Sequence, residues 1–315
     1  MTPHRIDTHH HPYPPAYLTK TAEILKRTTH TFYDRLMKWQ PGQAIEAMDQ
    51  GGIATSVLSI ATPSIWLGDA AASRVLAREC NDYCAKLQTD HKGRFGHFAT
   101  LPLPDVDGSL REIEYIFGTL KADGIALTTN YDDKYPGDEA YAPIFDELNR
   151  RKAVVYFHPT ANSFAFNRVK DIPPPTIEFP FDTTRTITSL LFSGTLSRCP
   201  DIKWIFSHGG GALGMVANRL VGLAKNRPEL AARVPNGVRH ELSKLYVDVV
   251  GVTTTGALKA VLDVVPTSHL LFGTDYPFWK PDETIHELAE LKLDAADLAA
   301  IERGNALTLM PGLPR

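Results

Sequence analysis

Short apolar runs alternate with longer, helix-periodic stretches from one end of the chain to the other. RIDTH (5–9), IATSVLSI (53–60), RFGHFATL (94–101) and GIALTT (124–129) read as strands. AVVYFHP (153–159), KWIFSH (203–208), LYVDVV (245–250) and LLFGTD (270–275) follow. Several are rich in Val, Ile and Phe and nearly unbroken in apolarity, the pattern of parallel strands covered on both faces. Between them the apolar positions recur at helical spacing. Residues 69–87 place Ala72, Leu76, Cys80, Tyr83 and Leu87 on one face, behind Asp69 as N-cap. Residues 107–122, 138–151, 183–198, 211–224, 253–263 and 282–291 behave alike, and a last helix falls near 294–303.

Strand–helix alternation of this length predicts an α/β fold, a (β/α)8 TIM barrel rather than an open doubly wound sheet. No GxGxxG follows the first strand, which removes the best support for a dinucleotide fold. Two segments break the repeat, an insert at 12–40 after strand 1 and another at 160–182 after strand 5. Both leave the C-terminal ends of strands, where barrel enzymes keep their pockets. Tyr17, Phe32, Tyr33 and Trp39 make the first insert read as a lid more than a linker. Nothing of low complexity splits the chain, so residues 1–315 are expected to form one domain.

Composition narrows the function classes. The chain is 43% hydrophobic and 22% charged, with a net charge of −3, which argues against nucleic acid or an anionic membrane as partner. No apolar leader opens the chain and no run is long enough to span a bilayer. Cys80, Cys84 and Cys199 do not form a CxxC pair or an even disulfide set, so reduced core thiols and a cytoplasmic protein are expected.

The polar residues at the strand ends carry the chemistry. His9 and His11 close strand 1, His158 strand 5, His208 strand 6 and Asp275 strand 8. Residues two apart in a strand face the same way, so His9 and His11 can grip one ion while His10 points elsewhere and packs. Imidazoles with a carboxylate suit a divalent metal such as Zn²⁺ with an open position. Singly, each has an ordinary reading: a core histidine, a loop opener before GGG, a turn former ahead of Pro277. Their coincidence at strand ends favours a shared site.

Together IDTHHH, VVYFHPT, IFSHGGG and LLFGTDYP resemble the amidohydrolase superfamily. They are most similar to its decarboxylase branch, related to the aminocarboxymuconate-semialdehyde, γ-resorcylate and 6-methylsalicylate decarboxylases. The resemblance extends through RFGHFATLPLPD (94–105) to GNALTLM (304–310). It implies one divalent metal, Zn²⁺ or alternatively Mn²⁺, held by His9, His11, His158 and Asp275, with His208 and Asp275 as the catalytic residues. Relatives with two metals use a strand-4 lysine; here the strand ends LTTNY and the next lysine is Lys134. Arg219 matches an arginine that in several members enters the neighbouring subunit's pocket, which implies a homodimer or a dimer of dimers. Where relatives often have Pro-Phe this chain has Gly214-Met215, suggesting a looser helix start. Arg27 and Arg35 match no second carboxylate-binding arginine, which favours a monocarboxylated aromatic substrate.

The expected reaction is non-oxidative decarboxylation of a hydroxybenzoate-like, salicylate-type acid: the carboxyl-bearing ring carbon is protonated and CO2 departs. Either Asp275 or His208 serves as donor. Trp66, Asn130 and Phe278 are candidate substrate contacts, with Tyr13 and Trp279 beside them. The alternative is a mononuclear metal-dependent hydrolase of a lactone or amide. A catalytically silent, metal-stabilised interaction protein is the third reading, and the extra strand-end His208 counts against it.

Overall fold

Eight strands run parallel and in chain order, each bonded to the next: β1 Arg5–His10, β2 Ile53–Ser59, β3 Phe95–Thr100, β4 Gly124–Thr128, β5 Val154–His158, β6 Lys203–Phe206, β7 Tyr246–Asp248 and β8 Leu270–Leu271. The computed structural model describes residues 3–160 and 169–313. The strand expected at 270–275 is regular over only two residues, yet its irregular continuation closes the sheet. Thr8 N–H donates to Phe272 O at 2.9 Å, Asp275 N–H to His9 O at 2.8 Å and His11 N–H to Tyr276 O at 2.8 Å. The seam between β8 and β1 turns the sheet into the expected barrel.

Two apolar layers follow from the strand alternation. Ile6, Val57, Phe98, Ala126, Tyr156, Ile205 and Leu271 fill the barrel and pack with Ala306, Leu309, Met310 and Leu313 of the C-terminal segment. Val154 and Tyr246, at strand starts, join the same cluster, so the C-terminal segment fills the end of the barrel opposite the histidines. A larger cluster lies between strands and helices. Ile6 points into the barrel although it stands three residues before His9, an odd separation. The register of β1 against β2 shifts between Asp7 and His10, and this irregularity reconciles the two.

The 12–40 insert forms helices at Pro15–Thr29 and Tyr33–Met37, with Tyr13, Tyr17, Leu25, Leu36 and Trp39 buried, so it packs as part of the core. A helix at Pro41–Gln50, absent from the pattern reading, buries Ala44 and Met48. The second insert expected at 160–182 includes residues 161–168, which lie outside the described residues. Its remainder is largely helix: Pro174–Phe192 begins well before residue 183. The prolines at 173–175 and 180 do not prevent it, because a proline in the first turn costs no hydrogen bond and Pro180 costs one rung. Asp182 is therefore inside the helix and does not cap it. Gly214 also departs from expectation. A Cβ there would lie 2.4 Å from Ala260 O, so helices Leu213–Asn226 and Thr255–Leu262 meet backbone to backbone, and the glycine tightens this contact rather than loosening it.

Cys80, Cys84 and Cys199 are buried and free. Among the described residues no helix is long and apolar enough to cross a membrane.

His97 on β3 supplies a stability test. It is fully buried, its Nδ1 lies 2.9 Å from Gln88 Oε1, and its Nε2 has no partner. Burial lowers its pKa from 6.5 to about 4. The unfolded chain takes up this proton near the ordinary value while the folded chain refuses it, so stability falls as pH drops from 6.5 to about 4. Urea unfolding across that window is expected to show wild type losing up to about 3 kcal/mol more than His97→Gln. Parallel pH profiles would contradict the assignment.

Candidate metal centre

The site is built from behind. The Asp7 carboxylate accepts His9 N–H and Thr274 N–H at 3.0 Å each through Oδ1, and Thr274 Oγ1–H at 2.6 Å through Oδ2. It thereby ties β1 to the segment after β8. His10 Nδ1 lies 3.1 Å from Asp7 Oδ2, and its ring stacks on Tyr276 with centroids 4.7 Å apart. It faces away from the other histidines, as alternation predicts.

Three rings are anchored at Nδ1. His9 Nδ1 lies 2.9 Å from Asp248 Oδ2, His11 Nδ1 2.9 Å from Ser59 O, and His158 Nδ1 2.9 Å from Pro159 O. Each partner is an acceptor only, so each Nδ1 carries a hydrogen and each Nε2 can present a lone pair forward. The forward atoms converge. His9 Nε2 and His11 Nε2 are 3.0 Å apart, and Asp275 Oδ1 stands 3.2 Å from the first and 3.0 Å from the second. Ligating atoms of His9, His158, His208 and Asp275 all lie within 4.8 Å of one another. His158 Nε2 is buried with no hydrogen-bond partner. Inward-facing imidazole lone pairs beside a carboxylate, one of them orphaned in the interior, form a donor set that fits a divalent cation.

Electrostatics sort the donors. Burial lowers the pKa of His11 and, with its histidine neighbours, holds that of His158 well below the ordinary value, so both rings are neutral. Burial works against ionised Asp275, but the charge of His9 and hydrogen bonds from His11, His208 and His9 hold its pKa well below the carboxylate range. Burial also opposes a charged His9, yet Asp248 and Asp275 raise its pKa to about 10.

His208 and Asp275 occupy the left-handed backbone region, at φ of 54° and 57°. Non-glycine residues reach it at a cost that the surroundings must hold in place. His208 N–H donates to Asp248 Oδ1 at 2.9 Å and Asp275 N–H to His9 O. Asp275 divides its oxygens: Oδ1 faces His9 and His11, and Oδ2 lies 3.4 Å from His208 Nε2.

The other predicted residues spread out. Phe278 stands edge-on to His11 at 6.0 Å and to Phe32 of the insert at 5.5 Å. Trp66 Nε1–H donates to Asp132 at 2.7 Å. The Asn130 amide donates to Asp182 Oδ2 at 2.8 Å and Thr160 O at 3.3 Å. Asp182 is thus the hub of a buried network that also takes Thr129 and, at 2.7 Å, the Tyr135 hydroxyl. Arg185 lies 3.8 Å from Asp182. Tyr13 is buried, Trp279 is half exposed, and Arg219 is exposed on the outer helix Leu213–Asn226.

Three contributors escaped the sequence reading. Asp248 backs His9, Phe179 stands edge-on to His158 at 6.2 Å, and Arg35 donates to Pro277 O at 2.9 Å. A carboxylate inside an otherwise apolar strand was the available signal for Asp248; nothing comparable marked the other two.

Comparison with known proteins agrees with this geometry. The amidohydrolase family model matches residues 6–311. The chain belongs to the amidohydrolase family. This amidohydrolase is 36% identical to decarboxylase yanB of Aspergillus niger, over 98% of this chain and 87% of that protein. It is 30% identical to 6-methylsalicylic acid decarboxylase of Penicillium expansum, over 98% of this chain and 97% of the relative. Among solved structures, dihydroxybenzoic acid decarboxylase of Polaromonas, with bound manganese and 2-nitroresorcinol, superimposes with a TM-score of 0.85. The match covers 100% of this chain and 98% of that one at 23% identity, a likeness of fold.

A cation held at His9 Nε2 would have to displace the His9 proton, because a protonated ring offers no lone pair. With one proton lost, the zinc dissociation constant is expected to fall about tenfold for each unit by which the pH rises, as long as the pH stays below the His9 pKa. Chelator competition at two pH values one unit apart measures it, and a pH-independent constant would contradict the His9 assignment.

Proposed function

We propose that this amidohydrolase is a metal-dependent non-oxidative decarboxylase of a salicylate-type aromatic acid, a carbon–carbon lyase. The observation that carries the reading is the division of Asp275, one oxygen on the imidazole cluster and the other toward His208. This arrangement supports reading His208 and Asp275 as a proton-handling pair at the edge of a cation site. The named activities of the relatives support the substrate class.

We assign His9, His11, His158 and Asp275 as ligands of one divalent ion, zinc by the nitrogen-rich donor set and manganese as second choice. When bound, such an ion supplies Lewis-acid stabilisation of phenolate and carboxylate oxygens. The remaining work belongs to the chain. Phe278 and Phe179 wall the ring, while Trp66 and Asn130 shape the pocket from behind, their hydrogens already given to protein acceptors. The His208–Asp275 pair delivers a proton to the carboxyl-bearing ring carbon. The His208 side chain is 19% exposed against 9% for Asp275, so His208 is the member that reloads from solvent. The bond to the carboxyl carbon then breaks, its electrons return to the ring, and CO2 leaves.

Arg219 makes no ion pair among the described residues, which fits its assignment to a neighbouring subunit's pocket in a homodimer or dimer of dimers. The buried free thiols support a cytoplasmic location, and residues 1–315 are read as one catalytic domain.

Incubation of metal-loaded protein with salicylate, 6-methylsalicylate and 2,6-dihydroxybenzoate is expected to release CO2 from at least one of them. Turnover of a lactone panel with all three acids untouched would contradict the reading. Asp275→Asn should lower kcat by a factor of about 10³ or more, since it removes a ligand and half of the proton-handling pair; a near-wild-type rate would overturn its role. Mixing Arg219→Ala with His208→Ala subunits should restore activity that neither has alone, and no restoration would place Arg219 outside the partner's pocket.

A further inference from the structure

We propose that Asp248 is a positioning residue that sets the tautomer of His9 and, through it, how long the metal stays bound. Asp248 ends β7 and is fully buried. Its carboxylate can only accept hydrogen bonds, and N–H groups meet it on both oxygens. Oδ1 takes His208 N–H at 2.9 Å and Val250 N–H at 3.1 Å, while Oδ2 lies 2.9 Å from His9 Nδ1. The two backbone donors prevent the carboxylate from rotating away, so the oxygen aimed at His9 stays aimed. Once His9 gives up its second proton to bind a cation, the ring must carry its remaining hydrogen on Nδ1 and leave Nε2 open toward His11 and Asp275.

Gly273 makes the contact possible. It lies on the segment between β7 and β1, and a Cβ there would come within 2.8 Å of His9 Cβ and 3.2 Å of Asp248 Cβ. With no side chain at this position, a residue of β7 reaches a residue of β1 across the strand between them. His11 is backed by the Ser59 carbonyl, with the Ser59 hydroxyl farther off at 3.5 Å, and His158 by a main-chain carbonyl; among the three Nδ1-anchored rings only His9 is backed by a carboxylate side chain. An asparagine at 248 that keeps its oxygen on the backbone donors would turn its NH2 toward His9 Nδ1. That favours the opposite tautomer, with the hydrogen on the metal-facing nitrogen.

The inference rests on His9 being a ligand, as assigned above, and is independent of the substrate. The test uses zinc-loaded full-length protein and no substrate: the zinc dissociation rate is followed by capture with excess chelator. This rate reads the bound state alone, so proton competition for the empty site does not enter it. Asp248→Asn is expected to speed zinc release about ten- to a hundredfold. In a His9→Gln background the same substitution should add nothing, whereas a general loosening of the barrel would speed release in both backgrounds. A rate equal to wild type, or the same acceleration with and without His9, would overturn the proposal. If Asp248→Asn is not recovered folded, Asp248→Ser is compared in the same two backgrounds, since its hydroxyl is too short to reach His9, and the same outcomes decide.

Discussion

Three imidazoles gripped from behind at Nδ1 are the constraint on which this molecule turns. The acceptors that grip them come from three separate places, the end of β2, the residue after β5 and the end of β7. Only a closed barrel in correct register brings Ser59 O, Pro159 O and Asp248 to positions from which the rings all face one point. The arrangement is costly without a cation, because it turns imidazole lone pairs toward one another in a buried place. The protein meets that cost with Asp275, whose carboxylate stands where the rings converge, and with a proton on His9. With His9 as a ligand, as proposed, metal exchange and proton exchange are two sides of one equilibrium.

The seam between β8 and β1 shows how backbone geometry serves the same end. Regular pairing stops after Leu271, and the following residues bond to β1 without strand conformation. Gly273 allows close approach, Asp7 ties the two segments, and Asp275 turns through the left-handed region to aim its side chain into the cluster. The cost of that conformation is repaid by placing one carboxylate on both the ligands and His208. Regular strand alternation through residue 275 would have spaced these groups differently, and the irregularity is part of the site.

The strands and the convergent residues were legible in the amino-acid sequence because both obey local rules. Apolar runs mark buried parallel strands, and polar residues at their ends have few other reasons to recur. What escaped depends on partners distant in the chain. Asp248 sits in an apolar strand, and its partner, the His9 ring, is far away in the chain. Gly214 suggested looseness because its neighbour, the Ala260 carbonyl, is invisible in one dimension. The helix before β6 extends upstream of the 183–198 expected from periodicity, which puts Asp182 inside it as the hub that absorbs Asn130. Arg35 lay in an insert with no motif, and only folding brings it onto the Pro277 carbonyl beside the site.

On the proposed assignment the barrel mouth binds a cation on one side of Asp275 and moves a proton on the other. Decarboxylation of a 2-hydroxybenzoate needs both at one ring carbon. The most direct measurement is turnover in D2O of an accepted 2-hydroxybenzoate by metal-stripped protein, before and after zinc is restored. The account predicts no turnover before. Afterwards it predicts CO2 release with a single deuterium on the ring carbon that bore the carboxylate. Turnover that survives metal removal, or a product carrying no deuterium at that carbon, would contradict it.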